Sequence, residues 1–172
     1  MKALVISGSP RKEESLTGVL AEVIQWQLEE LEIESELWLL SEKSLPLADP
    51  AYHKDPLSNE HPEVVRSFAK AIDDAETVVL VTPVYNGSYS AHLKNALDSL
   101  RWDHFRGKSI LLSSQGNPAS AGIACGHLNE VARTLQGNVL NSYLVVDRKV
   151  IDLDSRSISD TAVLERIKTI LG

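Results

Sequence analysis

The segment that most limits the possible folds is Thr77-Val78-Val79-Leu80-Val81, a strand-forming run with no wet face. Successive side chains of a strand point to opposite sides of a sheet, so a run this apolar must be covered on both. That condition belongs to parallel sheets with helices above and below. The rest of the chain repeats the pattern. Residues 2–7 are an apolar run ending at Gly8-Ser9-Pro10, and from Leu16 the positions Val19, Leu20, Val23, Ile24, Leu28 and Leu31 fall at helical spacing. A second strand, about 33–40, leads into the longest loop, 41–61, which is polar and proline-bearing. Pro62 opens a helix with Val65, Phe68, Ala69 and Ile72 inward, and Leu93, Ala96, Leu97 and Leu100 mark another. Strands at 109–112 and 139–146 flank a helix at 123–135, and Ser159 is the expected N-cap of a last helix carrying Val163, Leu164, Ile167 and Ile170 inward. The expected fold is α/β, a doubly wound five-stranded parallel sheet with helices on both faces. No linker or repeat interrupts it, so residues 1–172 read as a single domain.

Composition narrows the partners. Hydrophobic residues at 43% and charged residues at 24% are ordinary for a globular chain and exclude collagen-like or wholly disordered structure. The longest apolar stretches, such as 78–81 and 110–112, are far shorter than the roughly 20 residues a spanning helix needs. The first eight residues carry one positive charge and an apolar run too short for a signal-peptide core, so no secretory leader is expected. Lone Cys125 has no disulfide partner and reads as a free buried thiol in a reducing cytoplasm. A net charge of −7 disfavours nucleic acid and anionic lipid as partners, so an anionic ligand must rely on local donors.

In open parallel sheets ligands bind beyond the carboxyl ends of the strands, where strand order reverses. Three post-strand segments are therefore informative: 7–17, 82–88 and 113–117. The first, Ser7-Gly8-Ser9-Pro10-Arg11-Lys12-Glu13-Glu14-Ser15-Leu16-Thr17, offers helix-start amides, the hydroxyls of Ser9, Ser15 and Thr17, and the Arg11 fork, a set suited to a phosphate. It lacks the glycine-lysine pair of a Walker loop and the glycines of the dinucleotide fingerprint. A plain strand-to-helix turn with a serine cap fits the same residues. The second, Thr82-Pro83-Val84-Tyr85-Asn86-Gly87-Ser88-Tyr89-Ser90, contains an ordinary turn pair, Asn86-Gly87, and a Tyr85 that half-burial alone would explain. Its position weighs against that explanation. In a 2-1-3-4-5 sheet the third strand lies beside the first, so both loops open onto one crevice, with a phosphate at one and a planar ring against Pro83, Val84 and Tyr85 at the other. That is the geometry of a mononucleotide.

These motifs also carry a resemblance. The Gly8-Ser9-Pro10-Arg11 turn with Ser15-Leu16-Thr17, and Thr82-Pro83-Val84-Tyr85-Asn86-Gly87-Ser88 running into Leu93-Lys94-Asn95-Ala96-Leu97-Asp98, resemble the NADPH-dependent FMN reductase family, whose members include azobenzene, quinone and chromate reductases. The resemblance implies a flavodoxin-like fold with strand order 2-1-3-4-5. It implies that Ser9, Arg11, Ser15 and Thr17 hold the FMN phosphate, and that Pro83, Val84, Tyr85, Asn86 and Gly87 line the isoalloxazine. The third loop departs from the pattern. Where many members carry a glycine run, this chain has Ser113-Ser114-Gln115-Gly116-Asn117-Pro118, so Ser113, Gln115 and Gly116 are the expected contacts on the ring's pyrimidine side.

The implied activity passes electrons from NADPH or NADH, through bound FMN, to a small acceptor such as a quinone, an azo compound or free flavin. The flavin carries the chemistry, so no catalytic side chain is expected. The alternative is a flavodoxin-type carrier serving protein partners; a flavin-free relative is a third reading. The histidines at 53, 61, 92, 104 and 127 are scattered without ligand spacing, and Asp152, Asp154 and Asp160 read as solvated, so no metal is expected. Gly87-Ser88-Tyr89-Ser90 lacks the second glycine of a hydrolase nucleophile turn. Arg148 and Lys149 read as a charged turn in preference to a site for an adenylate phosphate. Trp102 and Phe105, just past the third helix, suit an interface core, and with the resemblance they imply a homodimer or homotetramer.

Overall fold

The computed structural model describes residues 2–172. Strands β1 (Lys2–Ser7), β2 (Glu34–Leu39), β3 (Thr77–Pro83) and β4 (Ser109–Gly116) alternate with helices α1 (Leu16–Glu30), α2 (Glu63–Asp74), α3 (Ala91–Leu97) and α4 (Pro118–Thr134). Two short strands, β5 (Asn138–Val139) and β6 (Leu144–Asp147), follow, and helix α5 (Thr161–Leu171) closes the chain. The sheet order is β2-β1-β3-β4-β5, every pairing parallel, as the sequence predicts.

Alternation along the strands divides the core in two. Leu4, Ile6, Val78, Leu80, Ile110 and Leu112 face α2, α3 and α4, meeting Phe68, Ile72, Leu93, Leu97 and Leu128. Ala3, Val5, Val79, Val81 and Leu111 face α1 and α5, meeting Leu20, Ile24, Leu28 and Ile167. The unbroken apolar run of β3 is thus two interleaved faces, each covered by helices.

The structure departs from expectation at several points. The fifth strand is interrupted: both β5 and β6 pair with β4, but residues 140–143 stand opposite only Leu111 and Leu112, and the extra chain turns outward at Asn141-Ser142. Helix α4 starts at Pro118, five residues before the expected position. Asn117 caps it by accepting from the Ala119 amide (3.1 Å), and its first turns are built of small residues that show no apolar period. The cap of α5 is Asp160, which accepts from the Ala162 amide at 2.9 Å, while Ser159 bonds through its own amide to the Val150 carbonyl. A hairpin of two-residue strands, β7 (Ile151–Asp152) and β8 (Ser157–Ile158), fills a stretch too short to carry a period, and Arg156 there forms a bidentate pair with Glu22 of α1. Phe105 is wholly buried and belongs to the chain's own core, whereas Trp102 is 56% exposed. Among the described residues no helix is long and apolar enough to cross a membrane.

Candidate active site

The segments after β1, β3, β4 and β6 converge at the carboxyl edge of the sheet around a cavity of about 390 Å³. Ser9, Arg11, Ser15 and Thr17 line one part of it, with Glu14 and Leu16 between them; Pro83, Val84 and Tyr85 form a wall; Gln115 and Gly116 face inward with Asn117 and Ser120; Arg148 completes the lining. Nine of the twelve predicted contacts therefore meet around one space.

The turn after β1 is held from within. Ser9 Oγ accepts from the Arg11 amide at 3.2 Å, Glu14 takes a left-handed conformation (φ 49°), and Ser15 caps α1 by accepting from the Gly18 amide at 3.0 Å. The serine-cap reading of Ser15 is thus right, and its hydroxyl proton is still available to a ligand. The Leu16 and Thr17 amides and the Arg11 guanidinium have no hydrogen-bond partner among the described residues. Unpaired amides at a helix start, three hydroxyls and a guanidinium make a donor set that fits a phosphate dianion. Thr17 Oγ1 also accepts from Gln115 Nε2 at 3.1 Å, which joins this turn to the one after β4.

The wall after β3 is anchored through buried Ser90, the N-cap of α3. Its hydroxyl donates to the Gly8 carbonyl (2.6 Å) and accepts from the Leu93 amide (3.1 Å), while its amide donates to Thr82 Oγ1 (3.0 Å). Only glycine fits at position 8, since a Cβ there would lie 2.9 Å from Leu93 Cβ. Beyond the wall, Tyr85 and Ser88 exchange both backbone hydrogen bonds, at 2.9 and 3.0 Å, closing a two-residue hairpin. Its tip, Asn86 (φ 50°) and Gly87 (φ 75°), has the pair of positive φ angles for which Asn-Gly is the favoured sequence. Both tip residues are exposed and stand outside the cavity lining.

Ser113 also lies apart from the cavity. It is buried within β4, and its hydroxyl donates to the Leu144 carbonyl at 3.0 Å, so its contribution is to bind β4 to β6. Arg148, set aside in the sequence as part of a charged turn, does line the cavity, while Lys149 does not. The signal that could have found it is its place directly after a strand end. Burial pushes the Cys125 thiol up to about 12, and the residue lies on the buried face of α4, away from the cavity lining. Among the described residues no group of three or more His, Cys, Asp or Glu is placed to hold a metal ion.

A doubly wound sheet in the order 2-1-3-4-5, with a donor-rich turn after β1 and an apolar wall after β3, defines a flavodoxin-like protein. The comparisons sharpen that class. The profile of the NADPH-dependent FMN reductase family matches residues 1–150, and the chain belongs to that family. An FMN-dependent NADPH-azoreductase of Staphylococcus aureus (strain USA300) is 33% identical over 137 residues, covering 80% of this chain and 72% of the relative. Among solved structures, an NADH:FMN oxidoreductase superposes with a TM-score of 0.77 at 23% identity, covering 99% of this chain and 86% of that one. The flavoenzyme NAD(P)H:(acceptor) oxidoreductase of Paracoccus denitrificans gives 0.72 at 21% identity, covering 99% and 92%. At such identities these two show the fold alone. As a member of the family the chain is an NAD(P)H-dependent oxidoreductase, with FMN as cofactor and NADPH as co-substrate.

Proposed function

We propose that the cavity is the FMN site of a reductase whose electron acceptor is a small planar molecule: an azo compound, a quinone or free flavin. The observation that carries this reading is the meeting of a phosphate-type donor set and an apolar wall in one cavity. Ser9, Arg11, Ser15 and Thr17 hold the phosphate, while the amides of Leu16 and Thr17 point their dipoles at it. Pro83, Val84 and Tyr85 supply the surface against the ring, Asn86 and Gly87 bring the hairpin backbone to its edge, and Gln115 and Gly116 face its pyrimidine side. Ser113 supports this last turn from inside the sheet. When bound, FMN supplies the two-electron chemistry between NAD(P)H and the acceptor. The protein's part is to orient the ring, exclude water from one face and leave the other open to flat ligands in turn.

An azo compound as acceptor is supported by the name of the S. aureus relative. The protein acts as a single unit over residues 1–172, in the cytoplasm, and as a homodimer or homotetramer. Support for assembly comes from an apolar groove of about 310 Å³ beside α3 and α4, where Leu97, Leu100, Val131 and Leu135 lie next to exposed Trp102. The test is a visible spectrum of the purified protein, followed by steady-state oxidation of NADPH and NADH with each acceptor in turn. Flavin absorbance with NADPH turnover on azo or quinone acceptors is the expected result. Bound flavin without turnover on any small acceptor would instead mark an electron carrier for protein partners, and a colourless protein that takes up no FMN would overturn the assignment of the cavity.

A further inference from the structure

The cavity carries two cationic side chains, and the FMN phosphate accounts for one. Arg11 follows β1 and Arg148 follows β6, with β3 and β4 between those strands. At strand spacings near 4.8 Å the two strand ends are about 14 Å apart. Neither guanidinium has a hydrogen-bond or ion-pair partner among the described residues, and Glu14, in the same turn as Arg11, is the one carboxylate that lines the cavity. Asp147, next to Arg148 in the chain, forms no ion pair with it among the described residues; its carboxylate accepts from the Lys149 amide at 3.0 Å.

The position of Arg148 is set by the backbone. Gly116 pairs with Asp147 in register, so residue 148 emerges beside the Gly116-Asn117 turn. A short 3-10 turn, Arg148–Val150, follows, and the Val150 carbonyl is tied to the Ser159 amide at 2.9 Å. A fixed turn thus presents an unpaired guanidinium next to the loop that, on the proposed binding mode, faces the pyrimidine side of the ring.

We propose that Arg148 stabilises the negative charge that the FMN ring acquires when it is reduced. The inference rests on the FMN site proposed above. Transfer from NAD(P)H brings two electrons and one proton to the ring, leaving the nicotinamide as its cation and the ring with one net negative charge on its pyrimidine side. The acceptor later takes the two electrons and that proton, with a second proton from water, and the ring returns to neutrality. A positive charge beside that edge favours the reduced form over the oxidised one and leaves the phosphate untouched. Arg148 therefore sets how strongly the bound flavin pulls electrons from NAD(P)H.

The test compares the parent, Arg148→Ala and Arg148→Lys by anaerobic titration with oxidised FMN and with dithionite-reduced FMN, alongside KM values for NADPH and NADH. In Arg148→Ala the dissociation constant for oxidised FMN should stay within about twofold of the parent, while that for reduced FMN rises about tenfold, equivalent to a two-electron midpoint lower by about 30 mV. Arg148→Lys should recover part of the loss, and the NADPH-to-NADH KM ratio should not move. Equal weakening of both FMN forms would make Arg148 part of the phosphate clamp. Unchanged FMN binding with a raised KM for NADPH alone would make it a reader of the extra phosphate of that dinucleotide, and no change in any constant would leave a solvated turn; each result overturns the proposal. A parent protein that binds neither form of FMN fails at the earlier step and overturns the site itself.

Discussion

Arg11 is an exposed arginine whose guanidinium has no partner among the described residues, so it is free to meet an anion at the cavity. Replacing it with alanine should weaken FMN binding by about 1.5–3 kcal/mol, a rise in Kd of about 10- to 150-fold, with the far-ultraviolet circular dichroism unchanged. Equal Kd values by fluorescence titration would contradict the phosphate assignment. Gly87 makes a different argument. A Cβ at Gly87 meets nothing within 4 Å, so the restriction on this residue is conformational: at φ 75° a β-branched side chain is strained by roughly 1–3 kcal/mol. Gly87→Val should therefore lose most turnover and much of its flavin, whereas Gly87→Asn, whose side chain tolerates the left-handed region, should keep both. Parental turnover per bound flavin in the valine variant would show that the hairpin tip lies away from the chemistry. Cys125 is a stability matter. With the folded thiol pushed up to about 12, the unfolded thiol ionises first as pH rises, so the native state holds the extra proton and stability falls. The loss should approach about 1.4 kcal/mol per pH unit above about pH 9. Urea midpoints at pH 8 and pH 10 should therefore differ more for the parent than for Cys125→Ala, and parallel shifts would refute the buried-thiol origin.

At the scale of elements, the site depends on how tightly the post-strand segments are joined. Ser90 joins two of them through three hydrogen bonds: it caps α3, donates its hydroxyl to the Gly8 carbonyl and donates its amide to Thr82 Oγ1 at the end of β3. Thr82 in turn offers its carbonyl to Ser114 Oγ of β4 at 2.9 Å. Ser90→Ala removes a helix cap and leaves a buried carbonyl unpaired, and it should destabilise the fold by about 2 kcal/mol or more, while Ser90→Thr, which keeps the hydroxyl, should lose less. Urea unfolding decides this, and an alanine variant of parental stability would mean that the Gly8 turn is held by other contacts. The interrupted fifth strand belongs to the same scale. The two residues by which 140–143 exceed their β4 partners shift the register from Ile110↔Val139 to Ser113↔Leu144, and that shift is what brings Asp147 beside Gly116 and Arg148 to the cavity.

For the molecule as a whole, the sheet is covered on both faces, yet one flank remains apolar and open. Trp102 stands at the edge of the groove beside α3 and α4, and the Lys94–Asp98 pair (2.6 Å) borders it. If this flank is the assembly surface, Trp102→Glu should convert the oligomer to a monomer by light scattering, because a buried, unpaired carboxylate is costly at an interface core. A parent that is already monomeric at micromolar concentration would refute the assembly reading. Phe105 contributes nothing to that surface, being wholly inside its own core.

The fold class was legible because its signal is local. A strand covered on both faces must be apolar at odd and even positions alike, as 77–81 is, and an amphipathic helix repeats its apolar positions within a few residues, as Val19 to Leu28 do. That Ser9, Arg11, Ser15 and Thr17 gather at one cavity was legible for a similar reason, since these donors lie within one short segment after a strand. Tertiary structure decided the rest. Ser113 and Gln115 differ by two positions on one strand, yet Ser113 is sealed against β6 while Gln115 reaches Thr17 across the cavity, because only Gln115 lies at the open end of the sheet. Phe105 reads like Trp102 until the chain turns and buries it over Ile110 and Gly137. Arg148 entered the cavity through a bulge of two residues and a pairing with a strand some thirty residues earlier. Periodicity records which face of an element is dry, whereas which elements lie side by side, and in what register, follows from contacts between residues far apart in the chain.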